Sequence, residues 1–132
     1  MSQTVKFVSK QHDFFTTLNQ RVNEYFKSRN ISRNANSSMV FKTVVMFALY
    51  FIPYALIISS NYYNTLGFYL LNAVMGIGLA GIGMSVMHDA NHGAYSKKPW
   101  LNDLIGYSLN LVGGNAFNWK VQHNVLHHTF TN

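Results

Sequence analysis

Two long stretches of this chain carry no charge, and they set the frame for everything around them. "TVVMFALYFIPYALIIS" runs seventeen positions from Thr43 to Ser59, and "LGFYLLNAVMGIGLAGIGMSVM" runs twenty-two from Leu66 to Met87. A helix needs about 20 apolar residues to cross a hydrocarbon layer roughly 30 Å thick. The second stretch suffices, and the first does so with slight extension at either end, which predicts membrane spans at about 41–60 and 66–87. Two buried helices of a soluble protein would need far more surrounding chain than 132 residues provide. Pro53 would break a soluble helix, but membrane helices tolerate such kinks. The connection, "SNYYN" (Ser60–Asn64), is short, so the spans form an antiparallel hairpin, with Tyr62 and Tyr63 suited to the aromatic belt at a membrane face.

The flanking pattern is different. Residues 1–38 are polar and basic, and 39–132 form the membrane part. Phe15, Leu18, Val22, Tyr25 and Phe26 recur at helical spacing, with Arg21, Lys27 and Arg29 towards the other side. That pattern predicts an amphipathic helix, read as lying in the membrane interface rather than packing on a soluble core. "NISRNANSS" (Asn30–Ser38) is a linker of turn-forming residues. In the second span Ala73, Gly76, Ala80 and Gly83 form a stripe expected to let another helix come close. A third apolar stretch, "LNDLIGYSLNLVGG" (Leu101–Gly114), contains Asn102, Asp103 and Asn110 and is short for a span. With Leu104, Ile105, Leu111 and Val112 on one face, it is expected to be an interfacial or half-buried helix.

Composition supports the membrane setting. Hydrophobic residues make up 48% and charged residues 11%, against about 25% charged in an ordinary soluble domain. Ten Lys and Arg against four Asp and Glu give +6, which points to nucleic acid or an anionic membrane surface. No basic run is interleaved with a nucleic-acid motif, so no nucleic-acid partner is expected and membrane lipid is. The absence of cysteine removes disulfides, Cys-ligated zinc and Cys-ligated iron–sulfur clusters together. No apolar stretch of the signal-peptide kind is present at the N-terminus, so no signal peptide is expected. The loop between the spans lacks Lys and Arg, whereas Lys27, Arg29, Arg33 and Lys42 precede the hairpin and Lys97, Lys98 and Lys120 follow it. The positive-inside rule then places both ends in the cytoplasm.

Five of the six histidines fall in "HDANHGAYS" and "HNVLHHTFTN". His88 and His92 are i and i+4 at the cytoplasmic end of the second span, and so share a helix face. His123 and His127 repeat the spacing, with His128 adjacent; on an α-helix these three fan over about 140°. Facing helix ends of this kind would enclose a pocket lined by imidazole, the commonest protein ligand for transition metals, suited to iron, zinc and copper. A zinc-peptidase helix would read H-E-x-x-H with a catalytic Glu, but the second letter here is Asp89 and three more histidines remain. Haem ligation by paired histidines leaves adjacent His127 and His128 without a role. Five imidazoles exceed one catalytic metal with an open position and fall short of two. A two-metal site completed by ligands from elsewhere accommodates them best. His12 is isolated and takes a bland surface reading. Asp89 and Asn91, beside the ligands, are candidates for their supporting shell, with solvation or helix capping an equal account. Trp119 is read as an interface anchor, with contact to substrate the lesser alternative.

"HDANH" followed by "HNVLHH" resembles the first and second histidine boxes, H-x3-H and H-x3-H-H, of the membrane fatty-acid desaturases. "HDANHGAYS" and "QHNVLHHTFTN" are especially similar to bacterial front-end enzymes of Δ6 type. The likeness is tight over His88–Asn132 and looser over the hairpin and "FFTTLNQRVNEYF". It implies an all-α integral membrane protein: a helical hairpin of two transmembrane spans, an N-terminal amphipathic helix, and cytoplasmic interfacial helices carrying the boxes. It implies two non-haem iron ions held by His88, His92, His123, His127 and His128 as catalytic and metal-ligating residues, with O2 as co-substrate and an acyl chain, on CoA or on a lipid, as substrate. Redox metal chemistry suits an unactivated CH2, which offers no acid or leaving group. The family's third box, after another pair of spans, is absent from these residues. The chain is therefore expected to be the N-terminal part of an enzyme, inactive alone, whose reading frame continues into a further His cluster. Residues 1–38 resemble no cytochrome b5 domain, so a separate electron donor of ferredoxin or cytochrome b5 type is expected. A bacterial inner membrane is the expected location, with the boxes on the cytoplasmic side. A related histidine-box hydroxylase or ketolase, and a non-enzymatic membrane metal- or haem-binding protein, are the alternatives. The Lys/Arg asymmetry gives the first prediction. Reporter fusions joined after Lys98 should be active only as cytoplasmic reporters, and activity of an outer-side reporter there would contradict the topology.

Overall fold

Each uncharged stretch lies within one helix that outruns it. The computed structural model describes residues 12–59 and 65–130; the connection Ser60–Asn64, with Tyr62 and Tyr63, lies outside the described residues. Helix α1 spans His12–Ser28, α2 Ser37–Ser59 and α3 Thr65–Gly81. A π-wound segment, Ile82–Val86, carries α3 directly into α4, Met87–Asn91. Then come α5 (Pro99–Gly106), α6 (Ser108–Leu111) and α7 (Ala116–Trp119), a second π-wound segment, Lys120–His127, and α8 (His128–Phe130). No strand occurs among the described residues, as an all-α expectation requires. The chain forms two compact units, Met1–Arg33 and Asn34–Asn132.

In the first unit α1 has the expected amphipathic composition. Phe14, Phe15, Leu18, Val22 and Tyr25 are all exposed. The chain turns at Asn30, whose φ is 51°, and the Arg29 guanidinium lies 4.6 Å over the Tyr25 ring, a cation–π contact.

The second unit is built on the hairpin of α2 and α3. Both helices are long and apolar enough to cross a membrane, and only 11% and 22% of their apolar windows is buried within the chain. A core helix of a soluble protein would show the reverse. The continuous helix Thr65–Asn91 has 27 residues. That is longer than the about 20 residues a hydrocarbon layer requires, and His88 lies in the helix's last turn.

Helix α2 runs through Pro53. Proline has no N–H, so the Leu49 carbonyl one turn earlier loses its usual donor. Gly78 of α3 sits at this turn: a Cβ there would lie 2.6 Å from the Tyr50 backbone nitrogen and 2.8 Å from the Leu49 carbonyl carbon. A Cβ on Gly81 would run into the Met46 side chain. The close approach therefore uses Gly78 and Gly81, and not the expected stripe: a Cβ on Gly76 or Gly83 meets nothing within 4 Å. Stripe spacing identifies faces free of bulk, but the face that packs is the one matched by Met46, Leu49 and Tyr50 across the hairpin.

Beyond the hairpin the helix end becomes the best-packed part of the chain. Ile82 and Val86 are fully buried, and Met87, Ala90, Tyr95 and Ala116 nearly so. The Tyr95 hydroxyl and Thr43 Oγ1 share a 2.8 Å hydrogen bond, and the Tyr95 carbonyl accepts from the Ala35 N–H at 3.0 Å. The chain after the first histidine pair is thus tied to the base of α2.

The expected single helix over Leu101–Gly114 is split at Tyr107 into α5 and α6, and its polar residues turn inward. Asn102 and Ser108 are buried. Asn102 Oδ1 accepts from the Ser96 N–H at 2.7 Å, and its Nδ2 donates to the carbonyls of Ser96 and Gly93 at 2.8 and 3.3 Å. One side chain thereby satisfies the backbone of the loop 93–96. The apolar Trp100, Leu104, Tyr107 and Leu111, spaced i, i+4, i+7 and i+11, face outward, the arrangement of a half-buried helix with an apolar outer side. The glycine geometry yields a prediction. Gly78→Ala should cost about 1–3 kcal/mol because backbone cannot yield to the new methyl. Gly76→Ala should change stability by at most about 1 kcal/mol, and favourably, by removing a flexible residue from a helix. Thermal unfolding of the two variants in detergent checks this.

Candidate metal centre

The two histidine clusters are delivered by differently built helix ends. His88 sits in α4 and His92 is its C-terminal cap. The helix stops there because Gly93 takes φ +72°, a left-handed conformation that glycine adopts without strain. The Gly93 N–H then bonds the Ala90 carbonyl at 2.8 Å and the Ala94 N–H bonds the Asp89 carbonyl at 2.9 Å, the paired bonds of a Schellman motif. That stop leaves His92 at the helix end, one turn after His88.

His123 and His127 lie in the second π-wound segment, and His128 caps it, its N–H bonded to the His123 carbonyl. This winding was not expected, and it changes the geometry. Bonding i to i+5 brings residue i+5 over residue i, so His127 and His128 flank the line through His123 instead of fanning away from it. The ring centroids of His127 and His128 lie 5.1 and 4.9 Å from that of His123.

The clusters meet. His88 and His92 have ring centroids 4.5 Å apart, and His123 lies 5.1 Å from each. One ring nitrogen from each of these three falls within 4.8 Å of the others, a volume sized for a metal ion. His128 is 5.1 Å from His92. His127 stacks on His123 with 24° between planes and lies 5.4 Å from His128. The structure therefore converges the nitrogens of three of the five expected ligands, with His128 at their edge and His127 behind His123. His12 begins α1, in the N-terminal unit.

The donor set fits a transition metal. It is rich in imidazole, which suits iron, copper and zinc, and imidazole must be neutral to ligate. Partial desolvation, then the neighbouring His88 and His128 rings, hold His92 below the ordinary imidazole range against an opposing pull from Asp89. Desolvation and the surrounding His88, His92, His128 and His127 rings lower His123 likewise. Both are thus kept in the form that can bind a metal. Asp89 Oδ1 stands 3.4 Å from His88 Nδ1, where it can orient that ring.

Two residues join the clusters in ways the sequence reading did not assign. Asn124 Nδ2 donates to the Asn91 carbonyl at 3.0 Å, linking the second cluster to the end of α4 across thirty-three residues. Asn91 itself is buried, its Nδ2 donating to Met87 Sδ at 3.4 Å, and its Oδ1 fills the space a Cβ on Gly106 would need. It packs α5 against α4, so of the two expected supporting residues Asp89 approaches the His88 ring and Asn91 holds two helices together. Trp119, read as an interface anchor, instead stacks on His123 at 4.3 Å and 19°, and meets His88 and His92 edge-on at 5.5 and 5.6 Å. Its i to i+4 relation to His123 was the available signal. Near an apolar segment, an aromatic residue more readily reads as a membrane anchor.

Residues 60–132 match the family model described as Fatty acid desaturase. The chain is 38% identical to the sn-1 linoleoyl-lipid 6-desaturase of Arthrospira platensis, over 93% of this chain and 33% of the relative. It is 36% identical to the sn-1 linoleoyl-lipid 6-desaturase of Synechocystis sp., over 99% of this chain and 36% of the relative. With the Acyl-lipid (8-3)-desaturase of Physcomitrium patens it shares 39% identity, over 94% and 26%. The chain thus spans about a third or less of the length of these relatives. No solved structure matches. The clamp between clusters gives a prediction. Asn124→Ala should weaken metal binding by about 10–100-fold, the usual effect of losing an outer support, while leaving helix content unchanged; cobalt titration alongside circular dichroism measures both.

Proposed function

The chain belongs to the fatty acid desaturase family, and from that premise we propose that it supplies the first two ligand clusters of a diiron acyl-lipid desaturase of front-end type. The observation that carries the proposal is the convergence of His88, His92 and His123 within 4.8 Å, inside the residues that match the family. His88, His92, His123, His127 and His128 would hold the two iron ions together with ligands from elsewhere in the whole protein. Iron, when bound, supplies redox chemistry for an unactivated CH2–CH2 unit: O2, two electrons and two protons enter, and a double bond and two waters result.

The chain's own residues prepare that site. Desolvation and neighbouring rings favour the neutral form of His92 and His123, Asp89 stands where it can orient His88, and the Gly93 turn fixes where His92 emerges. The outward apolar faces of α2, α3 and α5 suit a protein embedded beside its lipid substrate. Relatives named for acyl-lipid and linoleoyl-lipid substrates favour a lipid-linked acyl chain over acyl-CoA. Electrons would come from a donor of ferredoxin or cytochrome b5 type. The basic flanks of the hairpin support histidine boxes on the cytoplasmic side, in a bacterial inner membrane.

A hydroxylase or ketolase would use similar metal chemistry, but the relatives described above are all named as desaturases. A haem would need a flat slot between two imidazoles, and here the three converging rings stand 4.5–5.1 Å apart in mutual contact. In cells expressing the whole protein, each of His88→Ala, His92→Ala, His123→Ala, His127→Ala and His128→Ala should abolish new double bonds in the fatty-acid profile with the protein still inserted in the membrane. His12→Ala should leave the profile close to wild type. Wild-type unsaturation in any of the five removes that residue from the ligand set, and equal loss in His12→Ala points to general instability instead.

A further inference from the structure

A ligating imidazole binds through a nitrogen in its ring plane, so that plane has to be set before metal arrives. The ring torsion of histidine is broad and roughly two-fold, and the usual constraint is a hydrogen bond from the other ring nitrogen to a carboxylate or carbonyl. His88 has Asp89 for this, at 3.4 Å. His123 has no such bond among the described residues. What it has is two flat neighbours: the Trp119 indole at 4.3 Å and 19°, and the His127 ring at 5.1 Å and 24°. These come from one turn before and one turn after His123, and so hold its ring between them.

We propose that Trp119 is a positioning residue of the metal centre, its indole fixing the ring plane of His123 so that a His123 nitrogen meets those of His88 and His92. This rests on the metal reading above and extends it to a residue that is not a ligand. The indole also meets His88 and His92 edge-on at 5.5 and 5.6 Å, so one side chain touches all three converging rings. Edge-to-face and stacked aromatic pairs are the favoured arrangements of such rings. The second tryptophan is a natural control: Trp100 is 61% exposed on the outer side of α5, where an interface anchor belongs.

The test uses the whole protein in lipid nanodiscs, stripped of metal, with Trp119→Phe, Trp119→Leu and Trp100→Leu. Phenylalanine keeps a flat face and leucine fills similar space without one, so both should retain the packing and helix content that an alanine would endanger. Cobalt titration should find Trp100→Leu equal to wild type, Trp119→Phe within about threefold and Trp119→Leu at least about tenfold weaker, in the range seen for outer supports of metal ligands. In metal-free, histidine-labelled protein, NMR should show the His123 ring protons shifted upfield by the overlying indole. The shift should persist in reduced form in Trp119→Phe and vanish in Trp119→Leu. Trp119→Leu binding cobalt as tightly as wild type, or Trp119→Phe binding as weakly as Trp119→Leu, overturns the proposal, as does an unshifted His123 in wild type. Wild type that shows the shift but binds no cobalt removes the metal reading and the positioning role with it, leaving a stack that only packs.

Discussion

Several imidazoles can occupy one small volume only if they remain uncharged, because each protonated ring repels the next. At the end of the α3–α4 helix partial desolvation and the neighbouring rings depress His92 and His123, favouring their neutral form. The rest of the chain can be understood as serving this crowding. A long apolar helix carries His88 in its last turn, a glycine turn ends it at His92, and a π-wound segment brings three more histidines to the same place. Asn124 then binds the second cluster to the carbonyl of Asn91. None of these contacts is strong alone; a single hydrogen bond contributes about 1 kcal/mol. Their common effect is to hold nitrogen atoms from two segments within 4.8 Å of one another.

The hairpin and the site depend on each other through backbone proximity. Gly78 lets α3 pass against the turn of α2 that Pro53 leaves short of a donor, and the buried Ile82 and Val86 continue that packing into the first π-wound segment. Tyr95 and Asn102 then close the loop after His92 onto α2 and α5. The buried set at this level mixes apolar Ile82, Val86 and Met87 with polar Asn91, Asn102 and Ser108, while Trp100, Leu104, Tyr107 and Leu111 face outward.

The two long helices and the histidine pairs were legible because each has its own signal: an unbroken uncharged run, and i to i+4 spacing of a residue type with few other uses. The π winding of Lys120–His127 was not, since apolar periodicity carries no trace of whether a backbone bonds to i+4 or i+5. The 140° fan expected of His123, His127 and His128 became a tight group for that reason alone. The small-residue stripe at Ala73, Gly76, Ala80 and Gly83 gave way to Gly78 and Gly81 because which face packs is decided by Met46, Leu49 and Tyr50 on the partner helix. The stretch Leu101–Gly114 showed its apolar face but not its break at Tyr107, nor that Asn102 would organise the preceding loop. Trp119 carried two meanings at once, an aromatic near a membrane and a residue one turn before a histidine, and in the structure it stacks on that histidine.

As the nitrogen-rich part of the proposed non-haem diiron centre, these histidines should bind iron in the whole protein. X-ray absorption at the iron edge, with metal analysis of the purified whole protein, tests it most directly. The account predicts two iron ions per chain in a shell dominated by light nitrogen and oxygen donors, and no Soret band in the optical spectrum. A haem spectrum, stoichiometric zinc in place of iron, or a protein that retains no metal while still inserting a double bond would contradict it.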